Sequence, residues 1–148
     1  MKDTGISWCN HTINFWYGCK KIDAGCKNCY MYRDRKRYGQ DGNDIVKRDY
    51  AKIISEIKKF KTGETIFVSS WTDFFLESVP NEWRDEAIAI INTFPQFNWL
   101  ILTKRIDYAM NYFEYESELK TNPAYKNKDK DYHKLLFQHS KNVWFGVS

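Results

Sequence analysis

The amino-acid sequence predicts an α/β protein, a partial (β/α) barrel of parallel strands with about four β/α units, and three observations carry that prediction. Four short β-rich runs punctuate the chain: INFWYG (13–18), ETIFVSS (64–70), NWLILTK (98–104) and NVWFGVS (142–148). The middle two are apolar through their length instead of alternating, the pattern of strands buried on both faces in a parallel sheet. Helical patterns fill the intervals, and strand alternating with helix calls for right-handed crossovers.

The elements follow in order. Tyr30 and Tyr32 begin a helix behind the first run. Asp44 is expected to cap a second, whose apolar positions Val46, Tyr50, Ile53, Ile54 and Ile57 recur at helical spacing. Pro80 suits a first helical turn, with Trp83, Ala87, Ile90, Ile91 and Phe94 on one face behind it. Another helix starts near Ile106 and runs through Tyr108, Met110, Tyr112 and Phe113. The charge-rich, proline-containing stretch 120–134 reads as a loop. The last run has no helix of its own to cover it. An exposed edge strand invites pairing, so self-association or a partner chain completing the barrel is expected.

Residues 1–148 are expected to form a single domain, and the 43% apolar, 28% charged composition is that of a folded globular chain. An aromatic share of 18%, with six Trp and ten Tyr, implies a half-polar cavity or binding surface beyond a plain aliphatic core. No apolar run reaches the length of a membrane span, and the opening MKDTGISW has no signal-peptide core. A cytoplasmic location is expected, where clustered cysteines bind metal or do chemistry more often than they pair as disulfides. The net charge of +4 is uneven: residues 20–61 carry thirteen Lys/Arg against six Asp/Glu, leaving −3 for the rest. Such a sector fits phosphate, on nucleic acid or on a nucleotide, or else a solvated helix face.

Ligands of β/α folds gather at the carboxyl ends of the strands, and the chemically unusual residues fall there. Gly18 and Cys19 follow the first run, Ser69 to Asp73 the second, and Thr103-Lys104-Arg105 the third; Ser148 ends the fourth. Cys19, Cys26 and Cys29 form a C-x6-C-x2-C array. Its C-x2-C pair brings two thiolates to one centre, Gly25 permits a tight turn toward it, and Lys20, Lys21 and Lys27 favour thiolate charge. Three thiolates suit an iron–sulfur cluster with one iron open. Adding Cys9, or His11 in its place, makes a closed zinc site, and plain buried thiols are the third reading. Ser69, Ser70, Thr72 and Asp73 are candidate hydrogen-bonding partners for a cofactor, Asp73 equally a turn cap. Lys104 and Arg105 sit where a carboxylate or phosphate would lie, or form an ion pair after the strand. Trp71, Trp99 and Trp144 are expected in the core, although Trp71 is also placed to stack on a ring. His133 and His139 are not expected to be ligands.

In register, Trp8, Thr12, Asn14, Gly18, Cys19, Gly25, Cys26, Cys29 and Tyr30 match a pattern W-T-x-x-T-W-N-P-x-x-G-C, six residues, then C-x-x-C-Y. Phe67-Val68, Ser70, Asp73 and Phe75, Val79-Pro80, Leu102 to Arg105, and Asn142 to Ser148 continue the match. By these motifs the chain resembles a phage and prophage family with a three-cysteine motif, whose members look like radical S-adenosylmethionine (SAM) enzymes. It departs from that pattern at Cys9 and Phe15, which stand for Thr and Pro. Its C-x6-C spacing also differs from the C-x3-C-x2-C of most radical-SAM enzymes. The resemblance implies a 4Fe–4S cluster on Cys19, Cys26 and Cys29, an open iron that chelates SAM, and radical chemistry on an unknown substrate. It further implies that these residues are the N-terminal part of the barrel. The reading that competes is a zinc-stapled phage protein that binds nucleic acid or a host protein without catalysis.

Overall fold

The computed structural model describes residues 4–121 and 141–147. Four strands lie parallel in chain order: β1 (His11–Ile13), β4 (Thr65–Val68), β5 (Asn98–Thr103) and β6 (Val143–Val147). Each aligns with the next in an unbroken register, as in Thr12↔Phe67↔Leu100↔Trp144. Helices α2 (Tyr50–Ile57), α3 (Asn81–Thr93) and α4 (Ile106–Thr121) alternate with them. The fold is α/β, with a four-stranded parallel sheet consistent with a partial β/α barrel. Ser148, His133, His139 and all of the 120–134 loop beyond Thr121 lie outside the described residues.

Because side chains alternate along a strand, the register sorts the sheet into two faces. The row Ile13, Val68, Ile101 and Phe145 packs toward the helices, meeting Ile53 and Ile57 of α2, Ile88 and Ile91 of α3, and Tyr112 of α4. Most of these are fully buried, each side chain stabilising the fold by roughly 1.5–3 kcal/mol. The row Thr12, Phe67, Leu100 and Trp144 faces the other way, Phe67 under Trp8 at a ring distance of 4.9 Å and Trp144 exposed. The loop after β4 is held by Arg84, fully buried on α3. Its guanidinium donates to the carbonyls of Phe74 (3.0 Å), Val79 (2.8 Å) and Leu76, and to Asn81 Oδ1 (2.7 Å).

Two expected boundaries move. The run 13–18 is not one strand: the sheet strand ends at Ile13, and the chain turns off at Asn14 so that β2 (Trp16–Tyr17) pairs antiparallel with β3 (Val46–Lys47). Val46 is therefore a strand residue, and the helix cap is Asp49 rather than Asp44. The Asp49 carboxylate accepts from Ala51 N (3.0 Å) and Lys52 N (3.3 Å), which Asp44, before the strand, cannot reach. Pro80 immediately precedes α3, and α1 (Tyr30–Arg37) begins at Tyr30 as expected.

Candidate functional site

The cysteine loop is carried to the carboxyl end of the sheet by the small β2–β3 sheet. Gly18 makes the turn at φ 91°, and a Cβ there would lie 2.1 Å from the carbonyl oxygen of Asp44, so no other residue fits. Cys19 N then donates to Gly42 O at 2.9 Å. Asp23 caps a short 3₁₀ turn (Ala24–Cys26) by accepting from Cys26 N at 3.0 Å, and Cys29 directly precedes α1. Two tyrosines of α1 fasten the loop: Tyr32 donates to Cys19 O, and Tyr30 to the carbonyl of Ser70 beyond β4.

From the other side the loop is gripped by residues following β5. Arg105, 5% exposed, donates through Nη2 to Lys20 O (2.6 Å) and through Nε to Glu77 (2.8 Å). Its Nη1 reaches Asp73 (3.2 Å) and lies 4.0 Å from the Cys19 sulfur. Asp73 is the knot beneath it: the buried carboxylate also accepts from Phe75 N (2.9 Å), Thr103 Oγ1 (2.7 Å) and Lys104 N (3.0 Å). Lys104 pairs with Asp23 at 3.2 Å, and Thr72 donates to Gly18 O at 2.6 Å. Strand ends β4 and β5 thus hold the cysteine loop by its backbone.

Burial pushes the Cys19 thiol up from its ordinary value, and Arg105 beside it opposes that shift while Asp73 and Cys29 add to it. Tyr32 is raised by burial first and then by the neighbouring Cys19, Cys29 and Cys26. Among the described residues, no three His, Cys, Asp or Glu side chains are drawn into one coordination sphere. The donor set nevertheless fits an iron–sulfur cluster in kind and number. The three cysteines are half-buried free thiols on one loop, with a guanidinium against one of them.

The structure gathers the sequence-predicted residues at one end of the sheet and gives them different work. Ser69 is buried and left-handed (φ 68°), and its hydroxyl is one of two buried side-chain polar atoms without a partner among the described residues. The left-handed backbone and the unpartnered hydroxyl both sit where β4 ends. Ser70 Oγ accepts from Asn14 Nδ2 (3.0 Å). Asp73, Lys104 and Arg105 are engaged by protein partners and act on the loop. Gly25 lies inside the 3₁₀ turn, where it leaves room for the Lys104–Asp23 pair instead of supplying a left-handed turn. Arg105 is the cation set against the Cys19 sulfur, and Lys21 lies over the Tyr32 ring at 4.7 Å. Cys9 is buried, its thiol raised by burial and bonded to the Phe67 backbone. His11, also buried, bonds Glu64 (2.7 Å) and stacks on Phe60. Trp99 is core, Trp144 exposed, and Trp71 half-buried beside Tyr17.

Next to the loop, at the open edge of β1, lies a cleft of about 760 Å³. Tyr17, Tyr30 and Trp71 line it together with Arg48, Glu56 and Lys59. Arg48 donates to Asn14 O (3.1 Å) and Glu56 (2.8 Å) and stands 5.5 Å over the Tyr17 ring. Tyr17 and Arg48 carry no local signal as site residues, because only the β2–β3 pairing brings them here; the basic composition of 20–61 was the single pointer. Elsewhere that sector is partly internal, with Arg35 buried against the carbonyls of Asp41 and Asp44.

Fold and site together define a parallel β/α protein with a three-cysteine loop over the carboxyl end of its sheet. The chain belongs to the DUF5131 family, described as proteins of unknown function, whose model matches residues 3–148. No curated protein and no solved structure matches it significantly. Among the described residues, no helix is long and apolar enough to cross a membrane.

Proposed function

We propose that the chain is an iron–sulfur, SAM-dependent radical enzyme, or the cluster-bearing part of one, of the phage type it resembles. Cys19, Cys26 and Cys29 would hold a 4Fe–4S cluster, with SAM received at the Ser69–Ser70 exit of β4. One observation carries the reading: a loop with three free thiols sits over the carboxyl ends of a parallel sheet, with the buried Arg105 bonded to its backbone and 4.0 Å from the Cys19 sulfur. When bound, the cluster supplies the electron for reductive cleavage of the SAM sulfonium, which begins hydrogen abstraction from a substrate.

The chain's own residues bind, orient and exclude water. Arg105 balances negative charge at Cys19 from a position closed to solvent, and Asp73 holds Arg105 there.

Anaerobic reconstitution followed by iron and sulfide analysis tests the proposal. The expected result is brown protein with about four iron and four sulfide per chain, lost in Cys19→Ala, Cys26→Ala and Cys29→Ala and kept in Cys9→Ala. Colourless protein with stoichiometric zinc, or equal loss in Cys9→Ala, refutes it in favour of a zinc-stapled binding module.

A further inference from the structure

We propose that the cleft at the open edge of β1 is a nucleotide site, with Tyr17 and Trp71 receiving the base and Arg48 and Lys59 the phosphate. Its volume of about 760 Å³ lies within the range of small-ligand pockets, roughly 300–1,000 Å³. Two features meet in it. One is an aromatic wall, the Tyr17 and Trp71 rings 5.8 Å apart and inclined at 59°, which offers π faces to a flat heterocycle. The other is positive charge set directly against that wall, with the Arg48 guanidinium over the Tyr17 ring. An uncharged apolar ligand gains nothing from the two cations, and a bare phosphate gains nothing from the aromatic rings. A ring joined to an anion uses both.

The remaining lining agrees. Ser70 brings a hydroxyl suited to the edge of a base, Asn14 being engaged with Ser70 Oγ and Trp71 N, and the single carboxylate, Glu56, pairs with Arg48, which leaves Lys59 as the uncompensated charge of the lining. A shallower groove along α2 shares Glu56 and Lys59 with the cleft and continues past Lys52, so a second phosphate or a strand of nucleotides finds further positive charge. The same charge argues against SAM as the occupant, since a sulfonium would meet Arg48 and Lys59 with like sign. The cleft is also distinct from the Ser69 hydroxyl, while Tyr30 and Ser70 form its border with the cysteine loop. That this nucleotide is the substrate rests on the radical-enzyme reading; that it binds does not.

The test is therefore run on the full chain without cluster, titrating adenosine monophosphate, adenosine, inorganic phosphate, SAM and a single-stranded octanucleotide by calorimetry. The monophosphate should bind about tenfold or more tightly than adenosine or phosphate alone, as a charge-assisted contact added to stacking requires. Lys59→Glu, on an exposed helix-end position that does not threaten folding, and Trp71→Ala should each weaken it by about fivefold or more, while Lys36→Glu on α1 leaves it unchanged. An octanucleotide that binds more tightly than the monophosphate identifies a strand as the source, and one that binds more weakly identifies a free nucleotide. Equal affinity for adenosine and its monophosphate, unchanged binding in Lys59→Glu, or displacement of the monophosphate by SAM overturns the assignment. None of these results depends on the metal content, so failure here leaves the cluster proposal standing, and the reverse holds too.

Discussion

Replacing Arg105 by methionine should unfasten the cysteine loop, and the structure sets the size of the effect. Arg105 and Asp73 are an ion pair with side chains 3% and 8% exposed. Removing one partner of a buried pair costs about 3–5 kcal/mol when the other is left alone. Asp73 is not left alone, since Phe75 N, Thr103 Oγ1 and Lys104 N still donate to it, which lowers that part to roughly 2 kcal/mol. The lost charged hydrogen bond to Lys20 O adds about 1–2 kcal/mol. Glu77, half exposed, adds little. The sum is roughly 3 kcal/mol, which for a chain of this size lowers the melting temperature by about 6–12 °C. Thermal unfolding followed by circular dichroism measures it, and Arg105→Lys, which keeps the charge but not the planar fork, should recover less than half of the loss. A methionine variant melting within about 2 °C of the parent would refute the clamp.

Ser69→Gly should raise the urea midpoint, because glycine takes φ 68° without a Cβ penalty of roughly 1–2 kcal/mol, less its own entropy in the unfolded chain; a lowered midpoint contradicts strain at this residue. Stability should fall as pH rises through 9 and 10. Burial raises the thiols of Cys9 and Cys19 above 9.0 and the phenols of Tyr30 and Tyr50 above 10.0, so the unfolded chain releases these protons first. Urea unfolding at intervals of pH checks the sign, and a flat or rising profile is inconsistent with buried protonated groups. Trp144 and Val147 on β6 are 62% and 66% exposed, so concentration-dependent association by sedimentation is expected and Val147→Lys should reduce it; a parent that stays monomeric at every concentration argues against edge pairing.

The order of the sheet was legible because strand and helix alternate along the chain, and the 64–70 and 98–104 runs, apolar on both faces, fit strands covered on both sides. The first strand was not, since INFWYG has strand-like residues throughout while the backbone leaves the sheet at Asn14. What moves it is a partner more than thirty residues away, the Val46–Lys47 bridge, and no local pattern reports such a pairing. The same long-range pairing hid Arg48 and Tyr17 as cleft residues. Arg84 was invisible for another reason: an arginine in an amphipathic helix reads as solvent-facing, and its burial depends on three carbonyls of the loop before α3 and on Asn81 at the start of that helix. The cysteines, Ser69, Asp73 and Arg105 could be read because strand ends collect ligands in this architecture. That Asp73 and Arg105 hold the loop rather than stand open to a ligand required side-chain geometry.

The grip on the cysteine loop is on its main chain: Arg105 holds the carbonyl of residue 20, Tyr32 that of residue 19, and Thr72 that of residue 18. A carbonyl is the same in every amino acid, so these three contacts do not depend on which side chain stands at 20. The positions with no such freedom are two shape-bearing glycines. Gly42 is one, where a Cβ would stand 2.4 Å from the Tyr32 ring, and Gly18 is the other. The surface of this loop can therefore change while a pair of glycines and one arginine hold the main chain that carries Cys19.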